Sequence, residues 1–535
     1  MKNSPNFWRS FNIRGAISLF IIFALFMYSI LRVSVIAVSD YNNILENQNC
    51  VKLKISDLRG TIYDCNMIPL TNNKKKVVAA VSPTERAKTA LKSKLNGEEL
   101  KKALDKLELG KPIICEVPEF IDCDGIVCTE IYETIEDNTF AVHTVGYTDS
   151  DKNGVIGLEK AYNEILSSEK DAYVAYECDG NGQLLKGAEP ILHNDTSITA
   201  GGIVSTIDIN IQNIAENAAN SIERGAIVIA EANSGKIRAS VSRPTFNVIN
   251  IEEYLKDSTS PLLNRTINAY NVGSVFKPCV AAAGIEKGLG NYKHNCTGSS
   301  KIIDRVFKCH KLDGHGYLDL EQSIANSCNT YFYNLAAAIG EAEILKTASA
   351  FHFGNSLKLC DGIYTAKGSL PHKESLSNIA HLANFSIGQG ELLLSPVSML
   401  TLYCAIATDG KYYIPSLIEG TIYNGALKEY NIGSPTRVMS KETSDILKNC
   451  LKAVIENGTG TDAKPKTTTA AGKTATAQTG KFINGVEINE GWFCGFFPAD
   501  NPKYVAIIFS ENTAKQTKTC SKIFSEIADE IMCLK

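Results

Sequence analysis

Residues 273–278 read Gly273-Ser-Val-Phe-Lys-Pro278, and the chemistry of the chain turns on the serine and lysine inside that stretch. On a helix, positions i and i+3 share one face, so the Lys277 amine can reach the Ser274 hydroxyl. A serine becomes a nucleophile only when a base removes its proton. Lysine can be that base when burial or a nearby positive field lowers its pKa. Gly273 predicts a helix start, and Pro278 suits a first turn, whose N–H groups have no partners in any case. The positive end of the helix further favours the neutral amine. The pattern is short, however. Ser167-Ser-Glu-Lys170 repeats it and reads as a solvated helix face.

Working outward, two more triplets carry polar groups of the same kind. Ser327-Cys328-Asn329 precedes the apolar stretch Tyr331–Ala338, as residues at a helix start would, and Lys473-Thr474-Ala475 lies in a Thr- and Ala-rich strand candidate behind Gly472. Similar triplets occur elsewhere, such as Lys88-Thr89-Ala90 and Lys346-Thr347-Ala348, where capping or a solvated charge explains them. Around these sites the periodicity predicts a hairpin, Ala226–Ala230 and Ile237–Val241, turning at Asn233-Ser234-Gly235. Three further strands are predicted near the C-terminus, at Thr467–Gln478, Gly491–Phe497 and Tyr504–Ser510, followed by a helix on which Ile523, Ile527 and Ile531 step by four. Strands at both ends of a mostly helical stretch imply an α+β fold with one antiparallel sheet and helices on its faces.

The N-terminal end has another character. Residues 16–38 form an apolar run interrupted only by Arg32, long enough to cross a bilayer core. Lys2, Arg9 and Arg14 precede it, and Asp40 and Glu46 follow. The charge asymmetry predicts a cytoplasmic tail over 1–15, a membrane anchor over 16–38 and an extracytoplasmic remainder. A cleaved signal peptide is the other reading; the length of the run and the lack of a small-x-small site disfavour it. Residues 39–215 read as a mixed non-catalytic pedestal, with helical stretches between Thr84 and Leu109 and strands near Thr61–Tyr63 and Ile113–Val117. Residues 216–535 read as the catalytic domain.

Hydrophobic residues at 44% and charged residues at 21% are ordinary for a globular chain and exclude disorder throughout. A net charge of −4 supplies no field for phosphates, so no nucleic-acid partner is expected. The chain has 16 cysteines. Cys115, Cys123 and Cys128 fit no common zinc spacing. Cys296 and Cys309 flank a short loop with His310 and His315 behind them. Lacking a close CxxC knuckle, that pair reads more readily as a disulfide than as part of a metal site, and the spacing leaves the disulfide open. Cys404 and Cys494 read as small buried hydrophobes.

The order and flanks of the three polar motifs resemble those of the class B penicillin-binding proteins. Pro261-Leu-Leu-Asn-Arg265 leads to the Ser274 motif, and Gly314-His-Gly316 leads to Asn326-Ser-Cys-Asn329. Ser386-Ile-Gly-Gln-Gly390 is followed by Ser395-Pro396, and Ala471–Gln478 by Gly491-Trp-Phe493. Upstream, Arg59-Gly-Thr-Ile-Tyr-Asp64, Gly157-Leu-Glu159 with Tyr162-Asn163, and Thr206-Ile-Asp208 with Ile211-Gln212 extend the likeness. The resemblance implies a transpeptidase fold with an antiparallel sheet and an all-helical lobe, preceded by a transmembrane helix and a pedestal.

It also implies a peptidoglycan D,D-transpeptidase that β-lactams acylate. In that scheme Ser274 attacks the D-Ala-D-Ala terminus of a stem peptide, Lys277 takes the proton, Ser327 relays it to the leaving amine and Asn329 orients substrate and lysine. Lys473 and Thr474 hold the donor carboxylate, and the backbone N–H groups of Ser274 and Thr476 form the oxyanion hole. No metal or organic cofactor is implied. The implied partners are the membrane and a membrane glycosyltransferase of the cell-wall machinery. Two departures stand out: Ala475 replaces the usual glycine of the third motif, and Cys65 and Met67 replace the arginine and glycine common after the upstream Arg-Gly. A β-lactam sensor or β-lactamase, which share the serine–lysine helix, and a catalytically idle scaffold are the competing readings.

Overall fold

The computed structural model describes residues 5–38, 50–133, 140–179, 183–185, 189–193, 201–423, 425–431, 433–483, 485–511 and 516–534. The chain opens with helix α1 (Pro5–Val38), whose Arg14–Val35 portion is long and apolar enough to cross a membrane.

The described residues form two compact units built from interleaved segments. One comprises 1–57, 76–131 and 170–195, and the other 58–75, 132–169 and 196–535. A division at 215, as the sequence suggests, does not separate them, because three upstream segments fold with the catalytic residues. Within the first unit, helices Glu85–Lys92 and Gly97–Glu108 cover a three-stranded sheet that includes Ile113–Val117. Ala87, Leu91, Ala103 and Leu107 pack there with Ala79, Val81, Ile113 and Val117, which is the helical periodicity of the sequence realised as one apolar stripe. Thr84 caps the first helix by accepting from the Ala87 N–H at 3.2 Å.

The second unit is organised by helix α2 (Ile209–Ala218) and a five-stranded antiparallel sheet. Its strands are β1 (Gly225–Glu231), β2 (Ile237–Arg243), β3 (Ala471–Ile483), β4 (Val486–Phe497) and β5 (Tyr504–Ser510), in the order β2-β1-β5-β4-β3. Strand β3 begins at Ala471 rather than at Thr467. The apolar run of β1 is continuous because both faces of the sheet are covered. Ala226, Val228 and Ala230 enter the large core on one side, and Ile227 and Ile229 join Ile523, Phe524 and Ile527 of the closing helix Gln516–Cys533 on the other.

The upstream motif segments of this unit are bound to it by specific polar contacts. Arg59 donates to Glu159 at 2.8 Å and to Asn163 at 3.1 Å. Asp208 caps α2, and the Gln212 side chain accepts the Ser240 N–H at 2.8 Å. The turn after Tyr63 forms despite its unusual residues. Buried Asp64 accepts from the N–H groups of Asn66 and Ile68, both at 2.8 Å, while Met67 takes a φ of 64°. The segment containing Ser167–Lys170 is a correction: it opens the strand Ser167–Glu177, not a helix.

Candidate active site

The Ser274 motif begins as a 3₁₀ turn, Gly273–Phe276, that runs straight into helix α3 (Lys277–Glu286). Cys279, Val280, Ala281, Ala282 and Ala283 are all buried, so α3 is a central helix with no polar face. Gly273 needs its freedom twice. Its φ is 61°, and an added Cβ would sit 3.2 Å from that of Ala477 on strand β3. Its N–H donates to the Gly388 carbonyl at 2.9 Å, and the Tyr403 hydroxyl donates to the Val275 carbonyl at 3.1 Å. Trp492, fully buried, donates its indole N–H to the Asn271 carbonyl at 2.8 Å. The turn carrying Ser274 is thereby fixed from three directions, and Ser274 itself is half-buried.

Helices α4 (Leu320–Ala325) and α5 (Asn329–Ile339) meet at Ser327, whose φ of 53° makes the corner. That corner aims polar atoms at Lys277. The amine, fully buried, donates to the Ser327 carbonyl at 2.6 Å and to Asn329 Oδ1 at 2.7 Å, and it lies 3.2 Å from Ser327 Oγ. The Phe332 ring lies 5.4 Å from it. Burial pushes the Lys277 pKa down to about 7, with the sulfurs of Cys328 and Cys309 pulling the other way. A lysine so placed exchanges protons readily near neutral pH.

Strand β3 supplies the third motif. Lys473 is fully buried and donates to the Thr474 carbonyl at 3.0 Å, and the Thr474 and Thr459 hydroxyls are 2.9 Å apart. Burial, and next the charge of Lys277, holds the Lys473 pKa well below the usual lysine range. That coupling puts both amines in one electrostatic neighbourhood. Thr476 is exposed on the same strand, which lies at the edge of the sheet. Ala475 is only 3% exposed; its methyl lies in the core on the side of Gly273.

The structure therefore gathers the serine–lysine turn, the Ser327 corner and the Lys473 strand in one unit. It leaves the look-alike triplets elsewhere, Lys88-Thr89-Ala90 and Lys346-Thr347-Ala348 falling on helices Glu85–Lys92 and Glu341–Ala350. Sequence reasoning missed Tyr403, Thr459 and Phe332, which carry no motif of their own. The role of Gly388 was signalled only by its glycine-rich run. All the described cysteines are free thiols, so the expected Cys296–Cys309 disulfide is not formed.

Residues 225–532 match the family described as the penicillin binding protein transpeptidase domain. The chain belongs to the class B penicillin-binding proteins. It is 27% identical over 404 residues to the peptidoglycan D,D-transpeptidase MrdA of Acinetobacter baumannii, an alignment covering 68% of this chain and 58% of that one. It is 26% identical over 513 residues to the stage V sporulation protein D of Bacillus subtilis, covering 89% and 77%. The fold matches the crystal structure of Mycobacterium tuberculosis penicillin binding protein 3 complexed with aztreonam at a TM-score of 0.66 and 22% identity, covering 90% of this chain and 96% of that one. This penicillin-binding protein thus carries a serine-type D,D-transpeptidase domain of the kind that acts on peptidoglycan and binds β-lactams.

Proposed function

We propose that this protein cross-links peptidoglycan by the residues its three motifs bring together. The reading rests on one observation above others: Lys277, one helical step from Ser274, is buried, has a pKa near 7 and is held by Ser327 and Asn329. Ser274 Oγ attacks the carbonyl of the D-Ala-D-Ala bond while its proton passes to Lys277 Nζ. The backbone N–H groups of Ser274 and Thr476 stabilise the developing oxyanion. Collapse breaks the C–N bond, and the proton reaches the departing D-Ala amine through Ser327. Lys473 and Thr474 hold the terminal carboxylate of the donor. An acceptor amine then attacks the acyl-enzyme, and Ser274 regains its proton.

The catalytic unit stands outside the cell, with the N-terminus in the cytoplasm, since Lys2, Arg9 and Arg14 precede the apolar helix. The unit containing 76–131 serves as the pedestal, and a membrane glycosyltransferase supplies the glycan strands.

Purified full-length protein exposed to a labelled penicillin should carry one label, mapped by mass spectrometry to Ser274, and should release it slowly. Ser274→Ala should abolish labelling. A label at another residue overturns the assignment, and rapid release would mark a β-lactamase.

A further inference from the structure

A buried acid lies beneath the nucleophile's turn and takes no part in the proposed proton transfers. Glu490 of β4 is 6% exposed, and its Oε2 has no hydrogen-bond partner among the described residues. Its cross-strand partner is Ala477 of β3, and a Cβ at Gly273 would lie 3.2 Å from that of Ala477. Two residues further along β4, Trp492 donates its indole N–H to the Asn271 carbonyl at 2.8 Å. The Glu490 carboxyl takes a hydrogen bond from the backbone of the same Asn271. Asn271 stands three positions before Ser274, in the short strand Tyr270–Asn271 that pairs with Leu393–Leu394.

The surroundings of Glu490 decide which form it takes. A carboxylate with an unpaired oxygen is costly to bury. Burial raises the Glu490 pKa and the charge of Glu511 raises it further. The Asn271 backbone and the exposed Lys481 pull less strongly the other way, which leaves it at about 8. Arg265, and Arg224 just before β1, are ion-paired with Glu511 at 2.8 and 3.1 Å. Tyr270 brings a buried hydroxyl that is likewise unpartnered among the described residues. Cys520 of the closing helix donates to the Gly491 carbonyl at 3.5 Å. At neutral pH the acid is therefore protonated, and a carboxyl oxygen can accept from Asn271 in either form.

We propose that Glu490 is a positioning residue for acylation: with Trp492 it clamps the backbone of Asn271 and so sets the turn that presents Ser274. The clamp works from the strand side, while Gly388 holds the turn at Gly273 and Tyr403 holds it at Val275. The sheet beneath is covered on both faces, so it is a rigid support. An error in the clamp moves the nucleophile relative to Lys277 and to the strand N–H groups. Misplacing a reacting atom by about 1 Å can cost on the order of 10²-fold in rate. Glu490 touches no substrate and acts through Asn271. The inference rests on the reading of Ser274 as the acylated nucleophile. In the sequence the Gly491-Trp-Phe493 flank marks Trp492, and nothing marks Glu490, because Asn271 is remote from it along the chain.

Single-turnover acylation by a chromogenic β-lactam, measured on the full-length protein in detergent, separates the noncovalent dissociation constant from the acylation rate constant. Glu490→Leu, of similar bulk but unable to accept, should lower the rate constant at least about fivefold. The dissociation constant should stay within about twofold, because Lys473 and Thr474 are untouched. Glu490→Gln keeps an accepting oxygen and never ionises, so it should hold the rate within about twofold of the wild type. Should the leucine variant fail to fold, Glu490→Asp decides: its shorter arm withdraws the acceptor and should cost at least about threefold in the same constant. Stability gives a second readout. The Glu490 proton leaves near the usual 4.5 in the unfolded chain and near 8 in the folded one. This group should therefore lower stability as pH rises from about 5 to 8 and add no further loss above that. Urea unfolding of Glu490→Gln should lack this component. A smaller rate loss in the leucine variant, or in the aspartate variant where leucine does not fold, would overturn the proposal. So would a slow glutamine variant, a weaker dissociation constant with an unchanged rate, or the same pH dependence of stability in wild type and Glu490→Gln. These outcomes are distinct from failure of the underlying reading, in which the wild-type label maps to a residue other than Ser274.

Discussion

Lys277 and Lys473 are both fully buried lysines, one on the central helix and one on the edge strand, and they are held differently. Lys277 has three protein acceptors, the carbonyl and hydroxyl of Ser327 and the amide oxygen of Asn329. Lys473, among the described residues, donates to the Thr474 carbonyl beside it. A buried ammonium is costly unless its protons find partners. The helix lysine is completed by the protein, whereas in the proposed function the strand lysine would be completed by the donor's carboxylate. In the proposed function, one fold would thereby assign two chemically identical side chains to proton transfer and to carboxylate binding.

The sharpest way to break this contrast is to remove the first lysine. Lys277→Ala should slow acylation by penicillin at least ~10²-fold, the usual worth of a positioned general base. Stopped-flow acylation of the purified protein measures it. A loss smaller than that would pass the base role to another group and leave Lys277 as a prop for the Ser327 corner.

The pH profile sharpens the same point. Burial lowers the Lys277 pKa to about 7, and the base is the deprotonated form. Acylation should therefore be level above 7 and fall by about tenfold per pH unit as pH drops below it. A profile that stays flat through that point would separate the rate from the lysine.

Lys473 should behave in the opposite sense. Burial and the neighbouring Lys277 hold its pKa low, and a bound carboxylate raises it. Ser274→Ala protein binding a D-Ala-D-Ala peptide should therefore take up protons, read by calorimetry in buffers of different ionisation heat across a range of pH. Lys473→Met should bind more weakly and without that uptake. Equal uptake in the variant would place the titrating group elsewhere.

These two lysines also mark how far the sequence could be read. The Ser274 turn, the helix start after Ser327 and the hairpin at Asn233–Gly235 are local, and local spacing carried them. Strand ends were less legible, since Thr467–Ala470 has strand-like composition but pairs with nothing until Ala471. Ser167–Lys170 was misread because its charged side chains suit a helix face, while its backbone continues the strand Ser167–Glu177. The interleaving of 58–75 and 132–169 with the catalytic residues depends on contacts such as Arg59 with Glu159, a hundred positions apart, and no local pattern reports them.

The smallest expected effect concerns Ala475, where a glycine is usual. The Ala475 methyl is 3% exposed, in the core cluster, and the Cβ position of Gly273 is 3.4 Å from it. It therefore fills space beneath the nucleophile's turn instead of narrowing the cleft above it. The proposed mechanism would use the N–H of Thr476 and the side chains of Lys473 and Thr474 at this strand, none of which the methyl replaces. Ala475→Gly should then cost about 1 kcal/mol of stability, from a lost buried methyl and a freer strand backbone. Acylation should change by less than about tenfold, or roughly 1.4 kcal/mol of barrier. Thermal unfolding and acylation rates on the same preparation give both numbers. A several-hundredfold gain in acylation would mean that the methyl obstructs the substrate, and the strand half of the comparison would have to be redrawn around it.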